Sequence, residues 1–257
     1  MLIDVNAYLG HFAFRRLRYN TAEELLKLMD GKGIDKAIVS SASAITYRNP
    51  QSGNEELTEQ VDGHRDRLIP FAVINPAYAG WKDDLRICHE EFRMKGVRLY
   101  PKWHNYDLTD PRCIELINRA TKMGMLISIP IRVEDYRQRS WLVDVPDVPL
   151  DEIEEVVRRC PDAKFILLNG IGFVRSALGR KENDLPDNYL IEISRLSVLI
   201  GEEIGQLVEN VGAGRLVFGT GIPFKYPDPA LLKLEVLEIS DEEKEMIRWR
   251  NIAALGI

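Results

Sequence analysis

The chain has 257 residues, of which 45% are hydrophobic and 29% charged, with a formal net charge of −6. That length suits one large domain with a sizeable core. The acidic balance argues against nucleic-acid and anionic-membrane partners, and no stretch approaches the roughly 18 apolar residues of a membrane span.

The first run, LIDVNAYL (2–9), is β-rich and sets Asp4, Asn6 and Tyr8 on one parity. It carries no basic segment before it, so it is not a signal peptide, and a cytoplasmic protein is expected. A helix follows over 21–33, opened by Thr21 and Glu24 in capping-box spacing and ended by Gly31 or Gly33. KAIVSSAS (36–43) reads as a strand, 54–66 as a helix, and LIPFAVIN (68–75) as a buried strand. Residues 80–92 read as a helix and GVRLYP (96–101) as a strand. The helix over 110–124 begins with Asp110 and Pro111 and stops at Gly124. Then come a strand at 125–132, a helix at 149–161, a strand at 164–172 and an alternating strand at 188–196. A helix at 201–212 and a last strand at 215–222 precede two closing helices, the second opened by Ser240 and Glu243 in capping-box spacing.

Eight strands, several of them continuous apolar runs, imply a parallel α/β sheet. Eight units in a chain near about 250 residues point to a single-domain closed (β/α)8 barrel spanning 1–257. An open doubly wound sheet is the runner-up, but no G-x-G-x-x-G follows the first strand. Cys88, Cys113 and Cys160 form no C-x-x-C pair, so neither a disulfide framework nor a thiolate zinc site is expected.

Such barrels place their chemistry at the C-terminal mouth of the strands. The polar residues there include Asn6, Tyr8, Arg98, Lys102, His104, Arg132, Glu134, Asn169, Glu192 and Thr220. Arg98, Lys102 and Arg132 would grip a carboxylate or phosphate, with Arg15 or Arg16 closing from the loop at 10–19. The competing reading pairs these arginines with Glu134, Asp135 and Glu192 as structure. His104 has the intrinsic pKa of a general acid or base, against a capping role. Glu134 and Glu192 would serve as an acid–base pair, against an Arg partner for each. Long connections at 42–54 and 173–187 lie on the same face.

At LIDVNAYLG, GVRLYP, KFILLNGIG, RLVFGTGIPF and the closing RNIAALGI the chain resembles the amidohydrolase-related (amidohydrolase 2) TIM-barrel family, along essentially its whole length. The resemblance implies a metal-dependent hydrolase with His-x-His on the first strand, further His on strands five and six, and an Asp on the last. Here Asn6 and Tyr8, Pro130, Asn169 and Gly221 stand at those positions. Amides, a phenol, Pro and Gly are poor or absent zinc donors, so no metal and no other cofactor is expected. Two histidines, His11 and His104, with Glu134 leave a different metal site as a minor alternative.

The expected function is a hydrolase or lactonase acting on a small anionic substrate. His104 or Glu134 would move protons, and Asn6, Tyr8, Arg98, Lys102, Arg132, Asn169, Glu192 and Thr220 would bind. The alternative is a non-catalytic ligand-binding or scaffolding barrel. A small-molecule ligand is the expected partner, with homo-oligomerisation allowed.

Overall fold

The strand-like runs pair in sequence order. In the computed structural model, which describes residues 1–257, they are β1 (Ile3–Leu9), β2 (Lys36–Ser41), β3 (Leu68–Val73), β4 (Gly96–Arg98), β5 (Leu126–Pro130), β6 (Phe165–Leu168), β7 (Tyr189–Glu192) and β8 (Leu216–Val217). All neighbours are parallel and the order is consecutive. The sheet closes on itself: the Val5 N–H donates to the Phe218 carbonyl at 3.0 Å and the Tyr8 N–H to the Ile222 carbonyl at 2.8 Å. This is the expected single-domain (β/α)8 barrel.

Around it lie α1 (Ala22–Lys32), α2 (Pro50–Val61), α3 (Trp81–Glu90), α4 (Pro111–Lys122), α5 (Leu150–Arg159), α6 (Glu203–Val211) and α7 (Asp228–Val236). The last, α8 (Asp241–Glu245), runs on through a wider turn at Met246–Arg250 into Asn251–Ala253. None of these helices is long and apolar enough to cross a membrane. The capping box at Ser240 and Glu243 is present in full.

The strands β4, β6 and β7 are shorter than the runs expected at 96–101, 164–172 and 188–196, and two other elements differ in a way their residues explain. Helix α2 starts at Pro50 rather than 54, because the Asn49 side chain caps the Gln51 N–H and Pro is tolerated in a first turn. The last strand keeps only two ladder residues. Gly221 adopts φ 81°, a left-handed turn that suits Gly, and Ile222 then rejoins β1 at Ala7.

The large apolar layer lies between strands and helices, joining residues such as Val39, Val97 and Ile127 to Leu25, Leu85 and Leu116. A smaller cluster fills the barrel near the strand starts, where Ile252 from the C-terminal segment packs on Ile3, Ile69 and Val217. The opposite end is filled by Tyr8, Phe12, Tyr100 and Phe224. Both ends of the barrel axis are therefore solid, and open space is displaced to the rim of the mouth.

Candidate active site

The floor of the mouth is a hydrogen-bonded polar layer. Glu192, fully buried, ends β7. It accepts from Asn6 Nδ2 (3.0 Å), the Asn169 N–H (2.9 Å), Ser194 Oγ (3.0 Å) and the Ser194 N–H. A Cβ on Gly219 would meet Glu192 Cγ at 2.5 Å, so only Gly lets β8 approach this carboxylate. Asp4 accepts from the Thr220 N–H (3.0 Å), Thr220 Oγ1 and the Asn6 N–H (2.9 Å). Asn169 Oδ1 accepts from the Arg132 N–H at 3.1 Å. Thus Asn6, Asn169, Glu192 and Thr220 are brought together, and they spend most of their hydrogen-bonding capacity on each other and on Asp4. Asn6 Oδ1 is left buried without a partner.

Of the three cations expected to converge, Lys102 and Arg132 line one cavity and Arg98 stands apart. Arg98 is fully buried inside the barrel. Its donors go to the Val5 carbonyl (2.9 Å), the Ala7 carbonyl (3.0 Å), Ser40 Oγ (3.2 Å) and Ser128 Oγ (3.3 Å), with the Tyr8 ring 5.0 Å away. A shift of register in β1 between Asp4 and Ala7 accompanies this arrangement, and Arg98 satisfies the inward carbonyls. It braces the barrel and presents nothing to the mouth. Lys102 binds Asp107 (2.6 Å) and Glu152 (2.7 Å). Arg132 pairs with Asp147, yet its Nε is buried without an acceptor.

An aromatic plug sits above Arg98. Phe224 meets Tyr8 at 4.9 Å and Phe12 at 5.0 Å between ring centres, and Phe12 meets Trp103 at 5.7 Å, all edge to face. Beside the plug, over the ends of β4 and β5, lies a cavity of about 260 Å³. Its walls are apolar and aromatic, including Tyr100, Trp103, Tyr136 and Val148, and its polar groups are Lys102, Arg132, Glu134, Arg139 and Asp147. The Glu134 side chain is only 3% exposed. Arg15 Nε lies 3.0 Å from its Oε1, but without hydrogen-bond alignment, so both Glu134 oxygens are left without a donor. Burial raises its pKa above the usual carboxylate value, and Arg15 and Arg139 oppose the rise.

His104 lies outside this cavity. Its Nε2 faces the Ala44 carbonyl at 3.2 Å, and its ring sits between Tyr100 and Tyr106. Burial lowers its pKa from 6.5 to about 4, against the hydrogen-bonding groups of Ala44 and Ile45. It is a buried neutral imidazole rather than a proton carrier near neutral pH. Asp4 is its counterpart: burial raises the carboxyl from 3.8 to about 6, against hydrogen bonds from Thr220 and Asn6.

These two groups act on stability with opposite signs. Folded Asp4 holds its proton more tightly than the unfolded chain, so its contribution falls as pH rises from 3.8 to about 6. Folded His104 holds its proton less tightly, so its contribution falls as pH drops from 6.5 to about 4. Each displacement exceeds roughly two pH units, or about 3 kcal/mol, and they nearly cancel between pH 4 and 6. In urea titrations across this interval, Asp4→Asn is expected to make stability climb with pH, and His104→Phe to make it fall. Slopes unchanged in both variants would contradict the assignment.

Several cavity residues were missed by sequence reasoning. Tyr136, Arg139, Val143, Val145 and Asp147 all come from the connection between β5 and α5. Its length, and its run of Arg and Asp around 135–147, were visible signals. Trp141 is 89% exposed and forms no wall, whereas Trp103 does.

A family model described as Amidohydrolase matches residues 13–255. No curated protein matches the chain. Among solved structures, 5-carboxyvanillate decarboxylase from Sphingomonas paucimobilis is similar at 14% identity and TM-score 0.77, covering 99% of this chain and 98% of that one. A dihydroxybenzoic acid decarboxylase from Polaromonas sp. JS666, solved with bound manganese and the inhibitor 2-nitroresorcinol, is similar at 17% identity and TM-score 0.68, covering 99% and 96%. An uncharacterized TIM-barrel protein from Bordetella bronchiseptica matches at 15% identity and TM-score 0.75, covering 99% and 97%.

Proposed function

Because this chain belongs to the amidohydrolase family, we propose that it is an enzyme acting on a small carboxylate in the β4–β5 cavity, by hydrolysis or lactone opening. The carrying observation is that two residues lining one cavity keep buried polar atoms without hydrogen-bond partners: Glu134, whose carboxylate has only the Arg15 ion pair at 3.0 Å, and Arg132, at its Nε. Buried polar groups are rarely left unpaired, and a bound ligand resolves both. A volume of about 260 Å³ falls just below the usual range of ligand pockets, about 300–1,000 Å³, and suits a single-ring acid between apolar walls.

Arg132, with Arg139 and Lys102 nearby, holds the substrate carboxylate. The Glu134 carboxylate takes a proton from water as its oxygen attacks the ester carbonyl. The protonated Glu134 then returns that proton to the leaving alkoxide, giving a hydroxy acid. The raised pKa of Glu134 serves both halves of the cycle.

The likeness to a manganese-bound decarboxylase raises the question of a metal. No three His, Cys, Asp or Glu side chains come together as a metal would require. At the floor, the Glu192 oxygens are filled by N–H and O–H donors, Gly221 offers no side chain, and Asn6 supplies one neutral amide oxygen. That donor set does not fit a divalent ion, which supports proton transfer by side chains alone.

Decarboxylation is the second reading. The decarboxylases of similar fold are named for ring carboxylates, and the apolar walls suit such a ring. There a protonated Glu134 would deliver its proton to the ring carbon as the bond to carbon dioxide breaks.

A panel of aromatic carboxylates and carboxylated lactones, followed by chromatography, tests both. Turnover of at least one compound, with KM raised roughly tenfold or more in Arg132→Gln, is expected. Tight binding of panel members with no turnover would instead identify a ligand-binding barrel.

A further inference from the structure

A second cleft, of about 640 Å³, opens on the other side of the plug. The turn carrying Glu134 to Arg139 divides the two: Glu134 and Arg139 line the first cavity, Asp135 and Arg137 the second. In a chain of net charge −6, this cleft gathers Arg15, Arg16, Arg18, Lys32, Arg137, Arg195 and Lys225 against only Asp135 and Asp228. Both carboxylates are engaged. Asp135 pairs with Arg137 (2.9 Å) and Arg195 (3.3 Å), and Asp228 with Lys32 (2.5 Å). Arg16, Arg18 and Lys225 are left with no carboxylate in the cleft.

Two buried details make this more than a basic surface. The Arg195 side chain is 8% exposed, and its Nε has no acceptor. Lys225 lies across Gly221, where a Cβ would come within 3.4 Å of its Cδ. Its Nζ donates only to the Ser194 carbonyl, at 2.9 Å. Burial, then the Arg195 charge, hold this amine down at about 8; Lys233 acts in the same direction, while Glu192 and Asp135 oppose. An arriving anion would relieve these like charges.

We propose that this cleft is a second anion site, built for a phosphate-bearing small molecule. One carboxylate carries a single charge and two acceptor oxygens. Three unpaired cations and a buried Nε–H, brought from the loops after β1, β7 and β8, match a dianion with three oxygens. The site does not depend on the chemistry assigned to Glu134.

Calorimetric titration of the full chain with inorganic phosphate and with pyrophosphate, at low salt, tests it. Saturable binding is expected, weakened about tenfold in Arg195→Gln and changed far less by Arg132→Gln, whose charge acts on Arg195 only from a distance. Because Arg195 is buried, the double variant Arg16→Gln, Arg18→Gln, on exposed side chains, provides a control for folding and is expected to weaken binding as well. Raising pH from about 7 to about 9.5 discharges Lys225 and is expected to weaken binding in the parent more than in Lys225→Met. No binding of either anion, or binding unchanged in both Arg195→Gln and the double variant, would overturn the proposal.

Discussion

Replacing Glu134 with Gln is expected to lower turnover by roughly 10²- to 10⁴-fold, the usual contribution of a positioned acid or base. The amide keeps the shape of the side chain but loses both its ability to carry a proton and the charge that faces Arg15. Substrate binding should change far less, since Arg132 rather than Glu134 meets the carboxylate. The pH profile of the parent then separates the two chemistries. If Glu134 is a general base for hydrolysis, kcat/KM rises with pH through its raised pKa. If it is the proton donor of a decarboxylation, kcat/KM falls as pH rises through the same value. In Glu134→Gln that limb disappears in either case. An unchanged rate and an unchanged profile would remove Glu134 from the chemistry.

Truncating Arg98 to Ala is expected to cost about 4 kcal/mol of stability, near the upper end for a large buried side chain cut to Ala. Four hydrogen bonds vanish, and the carbonyls of Val5 and Ala7 lose buried donors. An orphaned buried acceptor costs about 1–3 kcal/mol. A cavity also opens beneath Tyr8. Relief from burying a guanidinium with no carboxylate beside it offsets part of this loss. The midpoint of thermal unfolding should drop by roughly 10 °C. Below that temperature KM should hold near the parent value, because no donor of Arg98 reaches the mouth. A large rise in KM with stability intact would instead restore Arg98 as an anion anchor.

The barrel was legible because parallel strands and amphipathic helices leave local signatures. Apolar runs such as LIPFAV, and caps such as Asp110–Pro111 and Ser240–Glu243, each depend on residues close in sequence. The site was legible only as a set of strand ends. Asn6, Asn169, Glu192 and Thr220 do meet, as their positions implied. What sequence could not show is which donors are already spent. Arg98 and Arg132 stand at similar strand ends, yet one points into the barrel at backbone carbonyls and the other keeps a free Nε at a cavity wall. That difference comes from the β1 register shift and from a long loop folding back, both non-local. His104 looked chemical because of its intrinsic pKa, and burial between two tyrosines removes that role.

The sharpest test of a side-chain mechanism is the turnover rate of the best panel substrate after exhaustive dialysis against a chelator, with metal content followed by elemental analysis. The rate is expected to persist with no stoichiometric metal in the protein. A rate that collapses on dialysis and returns with one equivalent of manganese or zinc would contradict the account and move the chemistry from Glu134 to a metal at the mouth.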